Sequence, residues 1–213
     1  MTVLLTGFDA FGGEAVNPSW LMLEALDGTR IAGHRLAARC LPTVFGDSLL
    51  ALAHHIDALQ PDVVIAFGQA GGRSAVSIER VAINCDDARI ADNAGKQPVD
   101  SRIFKHPQNA YFSTLPIKAA MFALQQAGIP AEISNTAGTF VCNHVFYGLM
   151  RLAEERPGMK AGFVHIPYLP EQAVGHPGSP SMGLQQVQRA AEIIIRCAVQ
   201  FDTDLQLTAG REC

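Results

Sequence analysis

The chain has 213 residues, is 48% hydrophobic and carries a net charge of -4, with a pI near 5.9. That is long enough to bury a sizeable core as one domain or two small ones. Lys plus Arg fall below Asp plus Glu and form no run, which argues against a nucleic-acid partner.

The predicted elements alternate between strand and helix. Residues 2–6 form a short apolar strand. Asn17 caps a helix with Pro18 at its first position, and Gly28 closes it. Residues 35–41 read as a strand, 47–60 as a helix stopped by Pro61, and 62–68 as a buried strand. Residues 75–84 alternate and are rich in Val and Ile, so they read as one strand. Residues 86–112 are irregular and polar, a length that suggests a cover over an active site. Then follow a helix at 116–126 ended by Gly128, a strand at 131–134, a helix at 139–155 capped by Thr139, a strand at 161–166 and a helix at 183–201. This order predicts one α/β domain over 1–213, with a mostly parallel twisted sheet and helices on both faces. Ligands of such sheets sit beyond the carboxyl ends of strands. Function is therefore expected in the loops 7–19, 69–74, 135–139 and 167–182.

The amino-terminal apolar run is too short for a signal peptide and has no basic start. No segment approaches the ~20 apolar residues of a bilayer span. Cys40, Cys85, Cys142, Cys197 and Cys213 are scattered, odd in number and lack a C-x-x-C pair. They argue against a disulfide framework or a zinc site and for a reducing compartment, the cytoplasm.

Cys142 follows a short strand and a glycine turn, in the first turn of the predicted helix. Unpaired N–H groups there would lower a thiol pKa and could hold an oxyanion. The competing reading is a buried core cysteine. His165 ends a strand near the same sheet edge and is the favoured base, although a lone histidine in an apolar strand is often simply core. His144, two residues from Cys142, points to another side of the helix. Glu79 shares a half-buried face with Val81 and Ile83 and needs a partner: an imidazolium, or a salt bridge to Arg73 or Arg89. Gly68-Gln69-Ala70-Gly71-Gly72-Arg73 fits neither common phosphate-binding pattern. Cys142 with His144 lacks further ligands at metal spacing. Phe8, Phe11 and Phe140 lie in the top loops, as plugs onto the core or as walls of an apolar pocket.

Several separated motifs together resemble the bacterial pyroglutamyl peptidase I family. They are Gly7-Phe8-Asp9-Ala10-Phe11-Gly12 with Asn17-Pro18-Ser19, the 68–73 run, Ile78-Glu79-Arg80-Val81-Ala82-Ile83-Asn84, Ala88-Arg89-Ile90 with Asp92-Asn93, the 134–143 run, and His165-Ile166-Pro167-Tyr168-Leu169-Pro170. The similarity spans nearly the whole chain. Ala10 stands where many members have Pro. The resemblance implies a cysteine peptidase that releases an N-terminal pyroglutamyl residue, with Cys142, Glu79 and His165 as a triad. It implies a ring pocket of Phe8, Phe11, Thr43, Ile90, Phe140 and Val141, with Gln69 and Asn17 at polar positions and Arg89 near the reacting carbonyl. No metal or cofactor is required. The partners implied are peptides with N-terminal pyroglutamate and further copies of the chain, as a dimer or tetramer. The rival readings are a glutaminase-like thiol amidohydrolase and a non-enzymatic ligand-binding protein with a structural Cys142.

Overall fold

The computed structural model describes residues 1–210. The end of the predicted domain and Cys213 lie outside the described residues. The central sheet has seven strands in the order β2-β3-β1-β4-β9-β5-β8. They are β1 (Thr2–Phe8), β2 (Arg30–Ile31), β3 (His34–Leu41), β4 (Val63–Gln69), β5 (Val76–Glu79), β8 (Ala131–Ser134) and β9 (Lys160–Ile166). A separate two-stranded sheet joins β6 (Val81–Ile83) to β7 (Ala110–Phe112). The helices are α1 (Pro18–Glu24), α2 (Asp47–Leu59), α3 (Ile117–Gln126), α4 (Val141–Glu154), α5 (Pro170–Ala173) and α6 (Leu184–Gln200). Among the described residues no helix is long and apolar enough to cross a membrane.

Strand alternation divides the apolar residues into two cores. In β4, Val63, Ile65 and Phe67 join α1, α3 and α6 on one face. Val64 and Ala66 join α2 and α4 on the other. All five are fully buried, as expected for a strand covered by helices on both faces. The predicted layering holds.

Two features differ from the sequence reading. The single strand expected over 75–84 is two strands. Its large apolar residues change face at Arg80, from Val76 and Ile78 to Val81 and Ile83, and there β5, paired with β8 and β9, gives way to β6, which leaves to pair with β7. The second difference is direction. β4 pairs with β9 in parallel, whereas β5 pairs with β9 antiparallel and carries β8 with it. The loop after β8 therefore leaves from the opposite end of the sheet from those after β1, β4 and β9. Residues 135–140 run back across the α4 face to start that helix. The four loops expected at one sheet end are three strand ends and one returning crossover. Three short elements, β2, β7 and α5, add to the predicted list.

Candidate active site

The site is centred on the register between β9 and its two neighbours. Gly68 of β4 pairs with His165 of β9, and Ser77 of β5 pairs with His165 from the other side. Glu79, two residues beyond Ser77, shares its face and is a diagonal neighbour of the imidazole. His165 Nδ1 lies 2.7 Å from Glu79 Oε1. The His165 side chain is 4% exposed and that of Glu79 is 0%. A second donor reaches the same oxygen: Arg73 Nη1 stands 2.7 Å from Oε1, while its Nη2 donates to the Thr136 carbonyl at 3.0 Å. The two partners considered for Glu79, an imidazole and Arg73, are thus both present. Arg73 is the charged neighbour that sequence reasoning raised only as an alternative to the histidine.

Burial pushes the Glu79 carboxyl upward. The His165 hydrogen bond and charge, with the Arg73 charge, more than offset it and hold the group below the ordinary value of 4.5. Glu79 is therefore an anion at neutral pH and accepts from His165 Nδ1–H. In the tautomer that makes this bond, Nε2 is the ring nitrogen able to accept a proton.

Cys142 is the second residue of α4 and half-buried. A Cβ built on Gly68 would stand 2.8 Å from its sulfur and 2.8 Å from the Phe163 ring. The sulfur thus sits over the bare strand position beside His165, whose ring lies 4.9 Å from that of Phe163. Burial and the Glu79 charge push the thiol up to about 12, against the pull of Arg73. The lowered thiol expected from the helix N-terminus alone is not what this environment imposes. The thiol ionises only if a neighbouring base takes its proton.

The capping expectation also changes. The N-cap of α4 is Phe140, with no side-chain hydrogen bond. Thr139 instead donates its hydroxyl to the Asp87 carbonyl at 2.7 Å. Without a capping oxygen, the first N–H groups of α4 remain available to an incoming anion. Two side chains in the same turn fix it in place. Asn143 clamps Ile83 through its Oδ1 and Nδ2 and also reaches the Cys85 carbonyl. His144 Nδ1 sits 2.8 Å from Asp86, and its Nε2 accepts the Gly46 N–H at 3.0 Å. With both ring nitrogens engaged, His144 does not form a metal pair with Cys142. Among the described residues no group of three or more His, Cys, Asp or Glu is arranged to hold a metal.

Aromatic rings gather beside this turn. Phe11 and Phe140 are 6.0 Å apart between centroids, and Phe45 meets Phe140 edge-on at 5.3 Å. Phe45 was not anticipated; only its spacing from Thr43 could have suggested it. Phe8 and Val141 are buried in the core beneath, with Phe8 against Phe163. Thr43 is buried and bonds Asp9 through both its N–H and its hydroxyl. Ile90 is exposed, facing the first loop at Gly12. Arg89 is also exposed and makes no salt bridge among the described residues. Asn17 caps α1 through Ser19 and donates to the Asp9 carbonyl at 3.0 Å, so it shapes the first loop. Gln69 is buried and bonded to Gln172, a residue that no local motif marked. The segment 86–112 is tied down over this region. Asp92 accepts the Phe45 N–H at 2.8 Å and Asn93 donates to the Ala10 carbonyl at 2.8 Å.

A carboxyl whose folded pKa is depressed contributes stability that is present above its unfolded pKa and lost as pH falls through the folded value. Glu79→Gln should therefore flatten the fall in Tm between roughly pH 5 and 3 relative to wild type. Calorimetry over that range checks it, and identical slopes would remove Glu79 from the acid-sensitive groups.

The chain is similar to known proteins over nearly its whole length. The family model described as pyroglutamyl peptidase matches residues 1–201. The chain is 55% identical over 209 residues to the pyrrolidone-carboxylate peptidase of Escherichia fergusonii, covering 98% of each chain. It is 56% identical over 208 residues to that of Klebsiella pneumoniae, covering 98% and 97%. The crystal structure of pyroglutamyl peptidase I from Bacillus amyloliquefaciens superposes with a TM-score of 0.95 at 45% identity, over 97% of this chain and 99% of that one. A pyrrolidone carboxyl peptidase variant from Pyrococcus furiosus gives 0.91 at 42% identity, over 94% and 99%. On these matches, the chain belongs to the pyroglutamyl peptidase family.

Proposed function

We propose that the chain hydrolyses the amide bond after an N-terminal pyroglutamyl residue, with Cys142 as nucleophile, His165 as base and Glu79 as the group that orients it. The observation that carries this reading is the buried Glu79–His165 pair, set across a bare glycine from the Cys142 sulfur. His165 Nε2 takes the Cys142 proton as the sulfur attacks the pyroglutamyl carbonyl. The oxyanion forms against the uncapped N–H groups of α4, with Arg89 on the covering segment nearby. The imidazolium then gives its proton to the leaving amine as the C–N bond breaks, leaving a thioester. Water, deprotonated by His165, cleaves the thioester, and the thiol and free pyroglutamate are released.

Phe11, Phe140, Ile90 and Thr43, over a floor of Phe8 and Val141, form the ring pocket in this reading, with Asn17 shaping its loop and Gln69 as a polar contact. The pyroglutamyl nitrogen is part of a lactam and carries no charge. An apolar pocket suits it and rejects a charged glutaminyl terminus, which would be desolvated without a partner. A cytoplasmic location is part of the proposal, because Cys142 and the further free thiols Cys40, Cys85 and Cys197 suit a reducing compartment. Self-association as a dimer or tetramer belongs to the same family-based reading.

The direct test is hydrolysis of pyroglutamyl and glutaminyl chromogenic amides side by side. The pyroglutamyl amide should be cleaved, the glutaminyl amide should not, and Cys142→Ser should abolish turnover. Equal cleavage of both would favour a glutaminase-like enzyme, and cleavage of neither a binding protein.

The raised thiol makes a second outcome specific. In wild type, iodoacetamide should label Cys142 readily at neutral pH, because His165 takes the thiol proton. In His165→Ala the labelling midpoint should move up toward the value near 12 set by burial. At neutral pH its rate should then fall roughly a hundred-fold or more. An unchanged labelling rate would remove His165 as the base.

Phe140→Ala tests the pocket. Truncating a wall forfeits apolar burial at about 25 cal/mol per Å². The specificity constant should fall roughly ten- to a hundred-fold, while the iodoacetamide rate of Cys142 stays near wild type. A parallel loss of both would make Phe140 a support of the nucleophile turn.

A further inference from the structure

Beyond Gly68, the glycine-rich run 68–73 builds a turn that aims a cation at the triad. The Ala70 N–H donates to the Ile166 carbonyl at 2.9 Å, and the Arg73 N–H donates back to the Ala70 carbonyl at 3.3 Å. Gly71 lies under the Tyr168 ring, which any side chain there would strike. Gly72 has φ +87°, a left-handed conformation that favours glycine. The guanidinium delivered by this turn has two anchors. Arg73 Nη1 stands 2.7 Å from Glu79 Oε1, and Nη2 donates at 3.0 Å to the carbonyl of Thr136, in the crossover that leads to Phe140 and Cys142. The Arg73 side chain is 23% exposed, that of Glu79 0%.

Glu79 Oε1 is therefore shared between a permanent cation and a group that changes charge. We infer that Arg73 is a positioning residue of the reaction, which holds the Glu79 carboxylate on the Nδ1 side of His165 through the proton transfers and sets the pH range in which the Cys142–His165 pair works. This rests on the reading of Cys142, His165 and Glu79 as a triad. In that reaction His165 gains and loses a proton twice in each turnover. An enclosed carboxylate whose one donor is a neutral ring is relieved most by keeping that ring charged, and a charged ring is no base. Arg73 compensates the carboxylate independently, so the ring can give up its charge. Its charge also opposes the burial and the Glu79 charge that push up the Cys142 thiol. The other groups around the pair are Cys142 from α4, Ser134 of β8 opposite Glu79 in register, and Glu132 one pair further along, bonded to the Ser77 hydroxyl at 2.9 Å.

The test compares Arg73→Gln, which keeps an amide donor without the charge, with Arg73→Lys, which keeps the charge but lacks the fork that holds Glu79 and Thr136 together. Two pH profiles are read: kcat/KM on a pyroglutamyl amide, and the iodoacetamide rate of Cys142, which needs no substrate. In Arg73→Gln the acid limb of kcat/KM and the labelling midpoint should both move up by roughly one pH unit. Removing a fixed positive charge raises the proton affinity of the pair, whichever member gives up the proton. Arg73→Lys should keep both midpoints near those of wild type. The midpoints are read on the folded fraction, so a lower yield of Arg73→Gln leaves them intact. A residue that only braces the fold would lower Tm in both variants and leave both midpoints in place. That result, or an equal shift in Arg73→Lys, would overturn the role of Arg73 and leave the proposed activity standing. A wild type that does not cleave the pyroglutamyl amide would instead overturn the activity itself.

Discussion

A carboxylate with no solvent exposure is the constraint around which this molecule is built. Glu79 is fully enclosed, and an enclosed anion without matched donors costs several kcal/mol. Two donors, His165 and Arg73, converge on a single oxygen to meet that cost. They come from different chain segments, one from β9 and one from the loop after β4. The antiparallel entry of β5 allows both. In a parallel arrangement the loop from β4 could not pass over the end of β9 straight into β5, on the far side of β9, with Arg73 held over a carboxylate six residues later. Folding and site assembly are thus the same event, since the charge is satisfied only when three strands are in register.

The helix that carries the nucleophile is fixed with comparable redundancy. Asn143 ties the first turn of α4 to β6, His144 ties it to Asp86 and to Gly46, and Thr139 ties the preceding loop to Asp87. These partners lie in the segment from β6 into the long irregular cover or at the start of α2. The irregular stretch is ordered because its polar side chains and backbone groups find partners on the turns that frame the ring pocket, Asp92 with Phe45 and Asn93 with the first loop. Polar satisfaction does here what regular secondary structure does elsewhere.

Much of this was legible in the sequence, because it is written in local signals. Buried strands such as β4 appear as apolar runs, Asn17-Pro18 marks a helix start, and Pro61 marks a helix end. The family motifs brought Cys142, Glu79 and His165 together before any register was known. What could not be read depends on pairing between distant segments. The reversal of β5 and the return of residues 135–140 both follow from which strand neighbours which. The cap of α4 was misassigned for a related reason: Thr139 has a distant acceptor in Asp87 that competes with the helix N-terminus. Gln172 carried no signal at all, because its buried amide bonds to Gln69, 103 residues away.

Gly68 shows how far the nucleophile depends on what lies beneath it. The strand, rather than the helix, sets the height of the sulfur above the sheet, and it does so with a hydrogen atom where every other amino acid would place carbon. The turn that presents Cys142 is therefore not a portable module. Grafted onto another α/β scaffold, the 139–144 hexapeptide would bring the thiol and the open N–H groups. It would also meet a side chain rising from the strand below, and the thiol would be lifted away from any histidine on the adjacent strand. A transplant of this chemistry would have to carry two strand positions along with the helix start: the glycine under the sulfur and the histidine beside it.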